Sequence, residues 1–139
     1  MKYALIGGRF LFSLIFILSA TGHFKAQTIA FAEMKGLPLA SVLVPLSGII
    51  ELIGGLSILI GYRAKIGAWL LVVFLLPVTF TFHQFWTIQD PMARQMEMAV
   101  FLKNMSMLGG ALILAYFGTG AWSVDGLIKN RIPGKQAIA

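Results

Sequence analysis

Cysteine is absent from this 139-residue chain and charge is scarce, with eleven Lys and Arg against five Asp and Glu. The first absence removes disulfides, thiol–disulfide exchange, iron–sulfur clusters and thiolate metal sites from the chain's own chemistry. Any redox role then needs a bound cofactor or a partner protein. The second removes the charged shell with which a soluble domain of this size covers its apolar residues. No internal repeat is evident, and no polar segment is long enough to form a soluble domain. What remains is apolar: 58% of the residues are hydrophobic, and the mean hydropathy is +0.86. The solvent that such a chain demands is lipid.

The net charge of +6 is spread over short loops and the C-terminal segment. That pattern reports orientation and contact with anionic headgroups, and it argues against nucleic acid as a partner.

A span requires roughly 20 mostly apolar residues to cross about 30 Å of hydrocarbon. Four stretches qualify, at about 4–24, 40–61, 64–86 and 97–118. The expected fold is all-α, a four-transmembrane-helix bundle with a short extracytoplasmic interfacial helix in the 25–38 connection. The first stretch has the look of a secretory signal, but Arg9 interrupts its apolar run, so a retained span is expected. With four spans both termini share a side. That side carries Lys2, Arg63, Lys65, Lys129, Arg131 and Lys135, and the other carries Lys25, Lys35 and Arg94, offset by Glu33, Asp90 and Glu97. The excess predicts a multi-pass protein of the cytoplasmic (inner) membrane with both termini cytoplasmic. Asp90-Pro91 is a strong helix start, so the fourth helix is expected to begin before the bilayer. Pro77 should perturb the third.

Charged groups inside a bilayer cost about 2.5–3.5 kcal/mol on insertion scales, and they usually face the bundle interior and pair. Arg9, Glu51, His83 and Lys103 qualify. Glu51 lies about 16 Å from the extracytoplasmic end of its span, and Arg9 and Lys103 lie within about 5–8 Å of its level along the membrane normal. Either cation is an expected ion-pair partner for Glu51. Arg9, Ser13, Phe16, Ala20 and His23 share one helical face, as do Ser47 and Glu51 with Gly48 and Gly55 alongside. Two readings of Glu51 stand: a structural ion pair that fixes helix register, or a carboxylate that binds a polar ligand head or exchanges a proton. Trp86 after His83 suits an interfacial aromatic anchor. His23 and His83 at similar depth are weak grounds for an axial haem pair. A quinone or similar amphipathic ligand, hydrogen-bonded by His83 and Lys103 below Trp86, is the better-supported reading. The methionines of the last span (Met96, Met98, Met105, Met107) read as core filler rather than a metal site.

The segments GRFLFSLIFILSATGHFK, GLPLASVLVPLSGIIELIGGLSILIGYRAKIGAWLL, TFHQFW and FLKNMSMLGGALILAYFGTGAWSVD occur in an order and spacing that resemble the DoxX family of small four-span membrane proteins. The resemblance covers about residues 5–126, so the chain is expected to form a DoxX-like transmembrane domain at 1–126 and a basic cytoplasmic tail at 127–139. The positions that match family elements are Arg9, Ser19, Gly22, Lys25, Gly36, Pro38, Glu51, Gly54, Gly55, His83, Trp86, Lys103, Asn104, Gly109 and Gly110. His23 stands where a small residue is expected. The resemblance implies association with membrane redox or oxidative-stress systems.

The functional expectation is an accessory subunit of such a system rather than an enzyme in its own right. Its polar, quinone-binding pocket would be lined by Glu51, His83, Trp86, Lys103 and Asn104. The alternatives are a non-enzymatic membrane scaffold and a small proton-coupled carrier component. The bilayer is the expected partner, with a homo-oligomer or redox-complex subunits beside it. Small-residue spacing such as Ser106 to Gly110 serves packing within a bundle as well as between chains.

Overall fold

The computed structural model describes residues 2–131. The last part of the expected tail, residues 132–139, lies outside the described residues. Helices α1 (Lys2–Ala20), α3 (Ala40–Ile60), α4 (Ala64–Phe82) and α5 (Pro91–Phe117) are each long and apolar enough to cross a membrane. A 3-10 turn (Thr21–Phe24) and the short helix α2 (Ala26–Met34) link α1 to α3. A second 3-10 turn (Phe85–Thr87) follows α4, and α6 (Val124–Arg131) closes the described chain. There is no strand among the described residues. Helix α6 runs across residue 126, so the expected boundary between domain and tail falls inside a helix.

The bundle is assembled through α3, which packs against both α1 and α4, while α4 packs in turn against α5. Phe16 of α1, Ile58 of α3, Leu71 and Leu75 of α4, and Leu108 and Ala111 of α5 form one buried core. Ala32, Ala40 and Val44 form a smaller cluster beneath α2 at the end opposite the termini. The outside is as apolar as the inside. Leu11, Leu18, Val42, Ile53, Trp69, Leu102 and Ile113 all stand exposed on the long helices. A monomer in water does not present such a surface, and a bilayer covers it.

Glycine sets the helix spacing. A Cβ on Gly54 would meet Leu71 at 2.7 Å and the Gly67 carbonyl oxygen at 2.9 Å, so α3 and α4 cross nearly backbone to backbone. A Cβ on Gly48 would fall 2.6 Å from the Cβ of His23, which seats the end of the α1 segment directly on α3. Close approach of this kind replaces the hydrophobic driving force that lipid does not supply.

The turn from α3 to α4 is held from outside itself. Gly61 ends α3 in the left-handed region at φ 73°, and its N–H donates to the Ser57 carbonyl at 2.9 Å. Arg63 follows at φ 47°, a costly conformation for a residue with a side chain. Asp125 supports it. Its two carboxylate oxygens accept from Arg63 N–H at 2.9 Å and Ala64 N–H at 3.1 Å, and its own N–H donates to the Gly61 carbonyl at 2.8 Å. Asp90 caps α5, its Oδ1 accepting from Ala93 N–H at 2.7 Å with Pro91 in the first turn.

Candidate ligand-binding site

Glu51 occupies the middle of α3 and is buried, at 3% exposure. Two groups from the α1 segment reach it. The Ser19 hydroxyl donates to Oε1, and Nε2 of His23 stands 3.3 Å from Oε2. The second approach is an ion-pair distance in poor alignment, so Oε2 lacks a hydrogen-bond partner among the described residues. His23 is anchored at its other nitrogen. Nδ1 lies 2.8 Å from the Ser47 hydroxyl and 3.4 Å from the Val44 carbonyl. Since Ser47 Oγ donates its own proton to the Val44 carbonyl at 2.7 Å, it accepts from His23, which places a proton on Nδ1. The tautomer is inferred from these hydrogen-bond directions. Nε2 and Glu51 are left facing one another with a proton to share.

The His23 ring also opens onto a groove of about 430 Å³ between α2, α3 and α4. Ser47 and Ile50 line it from α3, Phe74, Pro77 and Phe82 from α4, and Phe31 from α2. Pro77 has no N–H, so the carbonyl of Val73, one turn earlier in the same helix, lacks its helical partner. His83 lines it as well. Apolar walls with a few fixed polar groups are the usual composition of a small-molecule site.

A family model described as DoxX matches residues 4–84. Inner membrane protein YqjF of Escherichia coli (strain K12) is 32% identical over 125 residues, which cover 88% of this chain and 90% of that protein. The chain belongs to the DoxX family. No solved structure matches it. This DoxX-family chain is therefore an integral membrane protein whose long helices cross the bilayer.

The residues singled out in its sequence fall in three places. Glu51 has a different partner from the one expected. Neither Arg9 nor Lys103 forms an ion pair with it, and among the described residues His23 alone does. Lys103 is exposed and acts on Glu51 only as a longer-range charge, while Asn104 beside it is buried. Arg9 points to the other end of the bundle, beside Gly61. His83 pairs instead with Glu97 of α5, Nδ1 to Oε2 at 2.8 Å. Trp86 is half exposed and packs edge-on against Phe85 and Phe101, with ring centroids 5.2 and 5.8 Å away. The five proposed ligand residues thus do not meet around one cavity. Of these, the groove takes only His83, and it adds His23, Ser47 and Thr28. Sequence reasoning named Ser19 only as a family-matching position and His23 only as a weak haem candidate, and it assigned neither to Glu51, although they are four positions apart and so lie on one face of the α1 segment.

Proposed function

We propose that this chain is a multi-pass inner-membrane protein, with both termini cytoplasmic, that serves as an accessory subunit of a membrane redox system by holding a quinone in the α2–α3–α4 groove. One observation carries the reading: an apolar groove lined by an imidazole that is backed by a buried carboxylate. The residues suit a quinone. Phe31, Phe74 and Phe82 supply flat apolar surface, and His23, Ser47 and His83 supply polar groups at the groove's edges. When bound, a quinone would exchange two electrons and two protons, the electrons coming from a partner protein. The chain itself handles protons. His23 Nε2 and Glu51 hold one between them, Ser19 stabilises the carboxylate form by donating to Oε1, and the Ser47 and Val44 oxygens keep the imidazole oriented. The lysine and arginine excess on the terminal side supports the orientation.

The test is titration of the detergent-purified chain with decylubiquinone, followed by calorimetry. Val78→Trp, on the groove wall, should weaken binding about tenfold by filling the space. His23→Gln should weaken it as well. Absence of saturable binding by the wild-type chain would remove the proposal. A scaffold role is the second reading, favoured by the backbone-close crossing at Gly54 and Gly67. It is the better one if both variants melt at lower temperature in proportion to any lost binding.

A further inference from the structure

We propose that the end of the bundle carrying both chain termini holds one phospholipid, with its phosphate on Arg9 and Thr119 and an acyl chain in the slot between α1 and α5. The site is independent of the groove, which lies at the opposite end.

Arg9 presents the decisive observation. Its Nε and Nη1 are buried and have no hydrogen-bond partner among the described residues, and the buried Thr119 hydroxyl has none either. The two side chains come from different parts of the chain yet converge. A Cβ built on Gly61 would lie 2.6 Å from Arg9 Nη1 and 3.0 Å from Thr119 Oγ1. A guanidinium cannot neutralise itself by losing a proton, so burying it without an acceptor is costly and an anion relieves the cost. No carboxylate among the described residues pairs with the Arg9 guanidinium. Asp125, whose N–H also bonds Gly61, is spent on the Arg63 and Ala64 N–H groups, and Glu51 is held by Ser19 and His23. A phosphate diester offers a guanidinium the paired oxygens that its fork geometry fits.

The surroundings select a lipid as the source of that phosphate. Arg9 and Thr119 sit at one end of a slot of about 250 Å³ whose walls are Phe12, Gly110, Ile113 and Leu114, with Gly8 opposite. The missing side chain at Gly8 leaves open space, and Gly110 lets the Phe12 ring lie against α5. Ile113 is exposed on the lipid-facing surface, so the slot opens toward the acyl chains. Arg9 starts about 10 Å inside α1 and reaches back toward the helix end, the level at which headgroups lie. Lys65 belongs to the same end, its ammonium donating to the Tyr116 carbonyl at 2.6 Å, and it adds positive potential there.

Native mass spectrometry of the delipidated full chain, mixed in turn with phosphatidylglycerol, with diacylglycerol of the same chains and with inorganic phosphate, tests the proposal. One phosphatidylglycerol per chain should survive activation that strips diacylglycerol. Arg9→Gln should reduce retention about tenfold or more, the loss expected for a charge-assisted hydrogen bond. Gly8→Leu should do the same without lowering the melting temperature, because a Cβ there meets nothing within 4 Å. If Arg9→Gln does not fold, Gly8→Leu alone decides. Wild-type retention in Gly8→Leu, equal retention of diacylglycerol, or displacement of the lipid by inorganic phosphate would each overturn the assignment.

Discussion

His23 and Glu51 meet inside the bundle with Nε2 3.3 Å from Oε2, the imidazole coming from the turn after α1 and the carboxylate from the centre of α3. The contact is long for a hydrogen bond, yet each group is fixed from behind, His23 by Ser47 and Glu51 by Ser19. Such a pair fastens α1 to α3 where Gly48 already lets the two segments touch. It also keeps a titratable carboxylate beside a groove.

Energetic coupling between the two follows. Single substitutions His23→Ala and Glu51→Ala and the double variant, unfolded by denaturant in a fixed detergent, form a cycle. Residues in one polar network couple by roughly 0.5–3 kcal/mol, and membrane hydrogen bonds sit near the low end. A coupling of about 1 kcal/mol is expected. Strict additivity would mean that the approach is a neighbourly contact without energetic content.

The paired glycines separate packing from propensity. Gly54→Ala places a methyl against the Gly67 carbonyl oxygen at 2.9 Å and against Leu71 at 2.7 Å. Backbone cannot rotate away, so α3 and α4 must part, at a cost of about 1–3 kcal/mol. Gly109→Ala meets nothing within 4 Å. It should be neutral or stabilising by up to about 1 kcal/mol, since alanine is the better helix former. Melting temperatures of the two variants in one detergent check the contrast. Equal losses would show that α3 and α4 do not meet backbone to backbone at Gly54.

Much of this arrangement was legible in the sequence, and the rest was not, for geometric reasons. Span length and the scarcity of charge give four crossing helices, and Asp90-Pro91 gives the start of α5. The burial of Glu51 follows from the cost of charge in lipid. Its partner does not follow, because helical rise fixes depth but leaves rotation about the helix axis open. Arg9 and Lys103 both fell within reach by depth, whereas His23 was placed at the extracytoplasmic end of its span and was not counted as a partner. Lys103 and Asn104 could have been split in advance. Adjacent residues stand about 100° apart on a helix, so they do not face the same neighbour. Asn104 took the interior and Lys103 the outside. The tertiary role of Asp125 had no local signal, since its acceptors serve a turn far away in the chain.

The His83–Glu97 pair makes a different prediction from the Glu51 network. Both side chains are partly exposed, at 23% and 33%. Their bond at 2.8 Å joins the end of α4 to the part of α5 that precedes the apolar run. Partly solvated pairs contribute about 0–1 kcal/mol. Glu97→Gln should therefore leave global stability within about 1 kcal/mol of wild type while raising amide exchange across 91–97. Exchange unchanged in that window would show that the Asp90 cap alone holds the helix start.

Asp125 supplies the sharpest test of how the terminal segment is tied to the bundle. Its carboxylate caps α4 by accepting from Arg63 and Ala64 N–H, and those groups have no helical acceptor of their own. Removing a capping side chain costs about 0.5–2 kcal/mol. Arg63 adds to this, since its left-handed backbone at φ 47° loses the bond that favours it. Asp125→Ala should accordingly lower stability by about 2 kcal/mol, at the upper end of that range. Asp125→Asn keeps one acceptor and should lose roughly half as much. The second readout is local. With the clamp gone, α6 is released from the α3–α4 turn, so limited proteolysis should cut near 118–123 faster in Asp125→Ala than in wild type. Cleavage at the wild-type rate together with an unchanged melting temperature would show that Gly61, Ser123 and Gly126 hold the segment without the carboxylate.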